Sequence, residues 1–291
     1  MRYAEAAMSE AAGNDFSHLP PGTARLGHFF ARPKLVAAAC VIFLAALGWA
    51  YLALLMVGRG GPFGEIVDAL CRPLPDGSLT AGSIAIIASM WGAMTLAMML
   101  PSASPMLMTY AGIADTAARQ GRKIVSPFIL AAGYAIVWLG FAAAATVLQI
   151  VFTQTALLDA GMASASGLFS GAIFVGAGVY QFSALKHACL TRCQNPFPFF
   201  FANWATTPKG VFRLGLKQGL YCLGCCWAMM LVMFAVGVMN VIWMAGIGIV
   251  MTVEKMLTGR RFTHIVGLTL IAAGVAVIVV SVAAHWPGRA G

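Results

Sequence analysis

Long apolar runs separated by short basic or Gly- and Pro-containing segments dominate the chain. They fall at about 35–57, 83–112, 127–152, 168–185 and 214–237, then from the Gly237-Val-Met-Asn240 link to about 254, and at about 263–285. Each is near the ~20 residues that carry a helix across the hydrocarbon core. The runs are continuously apolar, without the two-residue alternation of a barrel strand, and backbone groups in lipid must be satisfied within the structure. The pattern predicts an all-α, polytopic transmembrane helical bundle of about seven spans over residues 35–286. A polar segment, residues 1–34, precedes it and reads as a flexible cytoplasmic arm, too long before the first apolar run for a cleaved signal peptide. Pro101 and Pro105 inside the second run predict a kink or a broken end.

Composition agrees: 60% of residues are hydrophobic and 9% charged, against about 25% charged in soluble domains. The net charge of +9 does not indicate nucleic acid, because the basic residues sit between apolar runs and no nucleic-acid motif is present. Arg2, Arg25, Arg32 and Lys34 precede the first run. Arg119, Arg122 and Lys123 follow the second, Lys186, Arg192, Lys209, Arg213 and Lys217 surround the gap after the fourth, and Lys255, Arg260 and Arg261 follow the sixth. These are fifteen of the eighteen basic residues, and Arg59, Arg72 and Arg289 are left for the other side. The positive-inside rule then puts the N-terminus in the cytoplasm and the C-terminus outside, with the lipid bilayer as the chain's first partner. The tight Gly237–Asn240 link is the weakest point of this count; if it stops short of the outer surface, the fifth and sixth runs form a re-entrant pair. No Ser, His and Asp set, no glycine-rich phosphate loop and no pair of intramembrane carboxylates is present, so the expectation is a non-enzymatic protein.

The candidate chemistry is sulfur. Of seven cysteines, five fall in two clusters, Cys189-Leu-Thr-Arg-Cys193 and Cys222-Leu-Gly-Cys225-Cys226. Both map to the cytoplasmic side, where structural disulfides are rare and clustered cysteines point to metal or redox chemistry. Residues three and four apart share a helix face, so Cys222, Cys225 and Cys226 continue into Met229, Met230 and Met233 as one stripe. A second stripe, Met90, Met94 and Met98, lies on the second run. Thiolates and thioethers are soft ligands that suit Cu(I), and neutral Met avoids burying charge in lipid. The competing reading is packing, since Met and free Cys both fill apolar cores; Cys40, alone in the first run, fits it. Cys71 stands alone in an outer loop, His187 beside Cys189 reads as a ligand or a solvated loop histidine, and Glu254 and Lys255 read as ordinary helix-end charges. The connection between the clusters, with Phe197, Phe199, Phe200, Phe201 and Trp204, is expected along the inner membrane surface.

Four segments carry a resemblance: Met90-Trp-Gly-Ala-Met-Thr-Leu-Ala-Met-Met-Leu-Pro-Ser-Ala-Ser-Pro-Met106, Leu185-Lys-His-Ala-Cys-Leu-Thr-Arg-Cys193, Gly219-Leu-Tyr-Cys-Leu-Gly-Cys-Cys-Trp-Ala-Met-Met230 and Gly237-Val-Met-Asn-Val-Ile-Trp-Met244. Over residues 80–275 the chain resembles a bacterial family described as predicted metal-binding integral membrane proteins, a domain of unknown function. The resemblance implies metal binding in a multi-pass protein of the bacterial inner membrane. The expected function is binding or translocation of a soft metal ion, copper first and zinc second, through Cys189, Cys193, Cys222, Cys225 and Cys226 with Met90, Met94, Met98, Met229, Met230 and Met233. A metallochaperone or a membrane complex is the expected protein partner. Two other classes stay open: a thiol–disulfide carrier using Cys222 and Cys225, and a structural or assembly subunit of a membrane complex.

Overall fold

A computed structural model describes residues 33–57, 81–120, 125–158, 164–238 and 240–284. Residues 1–32 of the arm, Cys71, Arg122, Lys123, Asp159 and His285 lie outside these residues. The described chain is helical: α1 (Pro33–Val57), α2 (Ala81–Met94), a π-helical turn (Thr95–Met99), α3 (Leu100–Arg119), α4 (Pro127–Gln154), α5 (Gly167–Tyr180), α6 (Ala184–Gln194), α7 (Pro196–Ala202), α8 (Pro208–Val236), α9 (Val241–Met256) and α10 (Arg261–Ala284).

Local sequence sets the boundaries. Ser126 and Thr207 cap α4 and α8 through their side chains, each followed by a proline at the first helical position, where the missing N–H costs nothing. Ser183 caps α6 by accepting from the Lys186 amide at 3.1 Å. Gly237, at φ 98°, turns the chain out of α8, a conformation that favours glycine.

Among the described residues five stretches are long and apolar enough to cross a membrane, and six if the bent pair α5–α6 counts as one. Two of the seven expected runs fall short of this length criterion. The fourth run is the 14-residue α5, from which α6 departs at 65°, because the Ser183 cap starts a new helix. The sixth is α9, of 16 residues, short of the ~20 of a full span. The prolines do not break the second span, which continues from Ala81 to Ala117. The π turn stands just before Pro101, and the Ala97 carbonyl, which Pro101 cannot bond, accepts from Trp49 Nε1 at 3.1 Å.

Packing relies on close backbone approach, as expected where lipid supplies no hydrophobic drive between helices. α4 crosses α8 at Gly133 and Gly215, where an added methyl on Gly133 would stand 2.3 Å from the Phe212 carbonyl oxygen. α5 meets α10 in the same way, Gly171 against Gly274. α8 carries the longest buried stripe and is the central helix. Ile42, Leu54, Ile136, Val147, Ile265 and Val280 on the outer helices are exposed, as lipid-facing surfaces require.

Candidate metal centre

The central helix puts Cys222, Cys225 and Cys226 on its buried face, as the three- and four-residue steps require, and all three are buried. α6 lies across this end of α8 and brings its own thiols, both half-buried. Cys193 Sγ is 4.0 Å from Cys225 Sγ, and Cys225 Sγ is 3.3 Å from Cys226 Sγ. Cys222 lies within interaction range of the other three. Cys189 sits slightly apart, its sulfur against Gly224; a methyl there would stand 2.6 Å from it. The glycine in Cys-Leu-Gly-Cys-Cys therefore makes room for α6, and its carbonyl accepts from the Tyr180 hydroxyl.

Three polar groups that the motif reading passed over complete the cluster. Lys255 Nζ, from the last turn of α9, donates to Cys222 Sγ at 3.0 Å and to Ser102 Oγ at 2.8 Å. Ser102 donates to the Met99 carbonyl at 2.8 Å. The Tyr134 hydroxyl donates to the same carbonyl at 3.2 Å and stands 3.0 Å from Cys222 Sγ. Lys255 is 7% exposed and Glu254 2%, so neither is an ordinary helix-end charge. Lys186, placed with the loop cations by the charge pattern, is buried in an ion pair with Glu254 at 2.8 Å. Gln194 Nε2 donates to the Glu254 and Leu257 carbonyls at 2.8 and 2.7 Å. Lys186 and Gln194, at the two ends of α6, thus both fasten it to the end of α9 and hold Cys193 over Cys225.

Beyond the thiols the methionines point inward. Met90 and Met94 on α2, Met98 in the π turn and Met229, Met230 and Met233 on α8 are all buried, joined by Met99 and by Met244 and Met251 of α9. They share one core cluster with the cysteines, and the Met98 side chain packs against Gly248. Past Met233 the column ends in aromatic rings. Trp91 lies 5.3 Å from Phe234 and 6.3 Å from Phe141, and Phe152 lies 5.4 Å from Phe234. Trp91 is fixed by donating to Gln149 Oε1 at 2.7 Å.

His187 faces His264, rings 5.5 Å apart, and Cys40 lines an apolar cavity with Leu44 and Leu100, away from the cluster. The aromatic connection is split: Phe200 is buried and, with Trp204, packs on Tyr110, while Phe197 and Phe201 stack on each other and are exposed.

Among the described residues no group of three or more His, Cys, Asp and Glu side chains is already arranged as a metal cage. The donor set fits a soft ion of low coordination number, which needs two sulfurs at the right separation.

A family model described as PpoB2, copper chaperone, matches residues 88–277, close to the stretch on which the sequence resemblance rests. The match contains both cysteine clusters, both methionine stripes and Lys255, and leaves out α1. No curated protein and no solved structure matches the chain.

Proposed function

The chain belongs to the PpoB2 copper chaperone family, and from that premise we propose that it takes up Cu(I) at the thiol end of the bundle and releases it from the same end. The Cys193–Cys225 separation of 4.0 Å carries the reading. Two sulfurs sharing an ion at a metal–sulfur distance of about 2.3 Å stand roughly 3.7–4.6 Å apart, as the angle between them opens from tetrahedral to linear. Half-buried Cys189 and Cys193 meet an incoming ion first, and Cys222, Cys225 and Cys226 hold it deeper. Met98, Met229, Met230 and Met233 offer neutral soft donors beyond, with Met90 and Met94 nearest the aromatic rings.

Charge balance favours a monovalent ion. Cu(I) on two thiolates has net charge −1, which the Lys255 ammonium on Cys222 offsets in a site that desolvates unpaired charge at high cost. Zinc in a four-thiolate cage, the second choice, would carry −2 and leave one charge unmatched. The aromatic closure beyond Met233 supports hand-over by the entry route rather than passage through the bilayer. A disulfide carrier on Cys222 and Cys225 has less support: the Cys225 thiol donates to the Cys222 carbonyl at 3.2 Å, and the Cys222 sulfur accepts from the Lys255 ammonium.

Metal analysis of the detergent-purified chain tests the reading. Near-stoichiometric copper is expected in the wild type and loss of most of it in C222S/C225S, with helicity unchanged. Unchanged copper would make the thiols packing residues; zinc alone in the wild type would mean that the thioether column is over-read.

A further inference from the structure

The central helix is longer than the hydrocarbon layer. Its 29 residues extend about 43 Å at ~1.5 Å per residue, against about 30 Å of hydrocarbon. The surplus falls at its first end, where Lys209, Arg213 and Lys217 repeat every four residues on one exposed face. No charged residue follows Lys217 in the helix. These cations therefore stand at the level of the lipid headgroups.

Beside them is a groove of about 560 Å³, walled by Arg213, Lys217, Leu216 and Leu220 on α8 and by Asn203 and Trp204 on the α7–α8 connection. The far wall is fixed: Trp204 stacks on Tyr110 at 5.6 Å and the Asn203 amide donates to the Phe199 carbonyl at 3.0 Å. Arg213 and Lys217 have no carboxylate partner among the described residues. Leu220, one turn further in, is 57% exposed and continues the groove toward lipid.

Two exposed cations one turn apart, an indole beside them and a leucine wall descending into the bilayer match the chemistry of an amphiphile with an anionic head. We propose that this groove is a binding site for an anionic phospholipid, its phosphate between Arg213 and Lys217 and an acyl chain along Leu216 and Leu220. The site lies on the same helix as the thiols, with Cys222 five residues beyond Lys217, so a bound lipid fixes the depth at which the thiol cluster sits.

The test uses the full chain in mild detergent, offered phosphatidylglycerol and phosphatidylcholine in equal amounts, with retained lipid read by native mass spectrometry. The wild type is expected to retain phosphatidylglycerol preferentially. R213Q/K217Q should bind it about thirtyfold more weakly, from the contribution of two basic residues at an anionic surface. R260Q/R261Q removes the same charge from exposed positions elsewhere and should retain it. Equal loss in both double variants would reduce the effect to diffuse charge and overturn the site, as would no loss in either. Displacement of the lipid by millimolar inorganic phosphate would make it a soluble-anion site instead. The wild-type lipid preference does not depend on any variant folding, and its absence overturns the proposal directly.

Discussion

Lys186 and Lys255 are both buried, and each needs a partner, because an ammonium held away from water is costly unless paired. Lys186 has the Glu254 carboxylate, with the two side chains 1% and 2% exposed. Lys255 has a thiol and a hydroxyl. The first pair is a fastening between α6 and α9; the second is part of the sulfur site. The difference is testable at Glu254. Glu254→Gln leaves the Lys186 charge buried and unmatched, and is expected to cost about 3–5 kcal/mol. K186M/E254L replaces both charges by apolar side chains of similar volume and should cost far less. Thermal unfolding in detergent reads both, and equal losses in the single and double variants would contradict a pairing role. Little of this was legible in the sequence. A Lys or Glu at the end of an apolar run has the same local signature whether it faces headgroups or a neighbouring helix, and positive-inside counting gives both the same weight. One signal was present: Lys255 follows Met251 by four residues and Gly248 by seven, on the face that α9 turns inward.

At the level of elements, the site depends on how closely α4 and α8 approach. Gly133 precedes Tyr134, and its backbone meets Gly215 and the Phe212 carbonyl. A methyl at position 133 would meet backbone, which cannot rotate aside, so Gly133→Ala must part the helices and draw the Tyr134 hydroxyl from Cys222. Gly140, seven residues on in the same helix, has nothing within 4 Å of an added methyl. Gly140→Ala is expected to be neutral or to stabilise by up to about 1 kcal/mol from helix propensity. Gly133→Ala is expected to lower both the unfolding midpoint and copper retention; equal behaviour of the two variants would show that the crossing is looser than the backbone distances indicate. The cysteine stripe on α8 could be read from spacing alone, since three- and four-residue steps define a helix face. That α6 is a separate helix could not be read this way, because Tyr180-Gln-Phe-Ser183 interrupts the run without a proline or glycine. The convergence of the two clusters is set by tertiary contacts, Lys186 and Gln194 of α6 bonding to Glu254 and Leu257 at the end of α9, which no local pattern encodes.

For the whole molecule, the apolar runs made the helical membrane fold legible, and the remaining issue is how the short α9 fits the alternation of charge. Cys222 lies fifteen residues before Gly237, about 22 Å along α8, and the 16 residues of α9 return about 24 Å to bring Lys255 to Cys222. The two helices thus traverse the same slab in opposite directions. α9 ends at the depth of the thiols, and the residues up to exposed Arg260 and Arg261 complete the return. A short sixth pass of this kind suffices to cross, and the alternation of basic residues leads to the expectation that the thiol cluster lies near the cytoplasmic face. A reporter active only in the cytoplasm should then be active when fused after Arg122 or Arg261 and silent after Asp159 or Asn240. Activity after Asn240 with silence after Asp159 would make α8 and α9 a re-entrant pair that never reaches the far surface. Activity after Asp159 with silence after Arg122 would invert the molecule, placing the thiols at the outer face, where copper would have to be collected from outside the cell and the cluster would lose the reducing surroundings that keep five cysteines free.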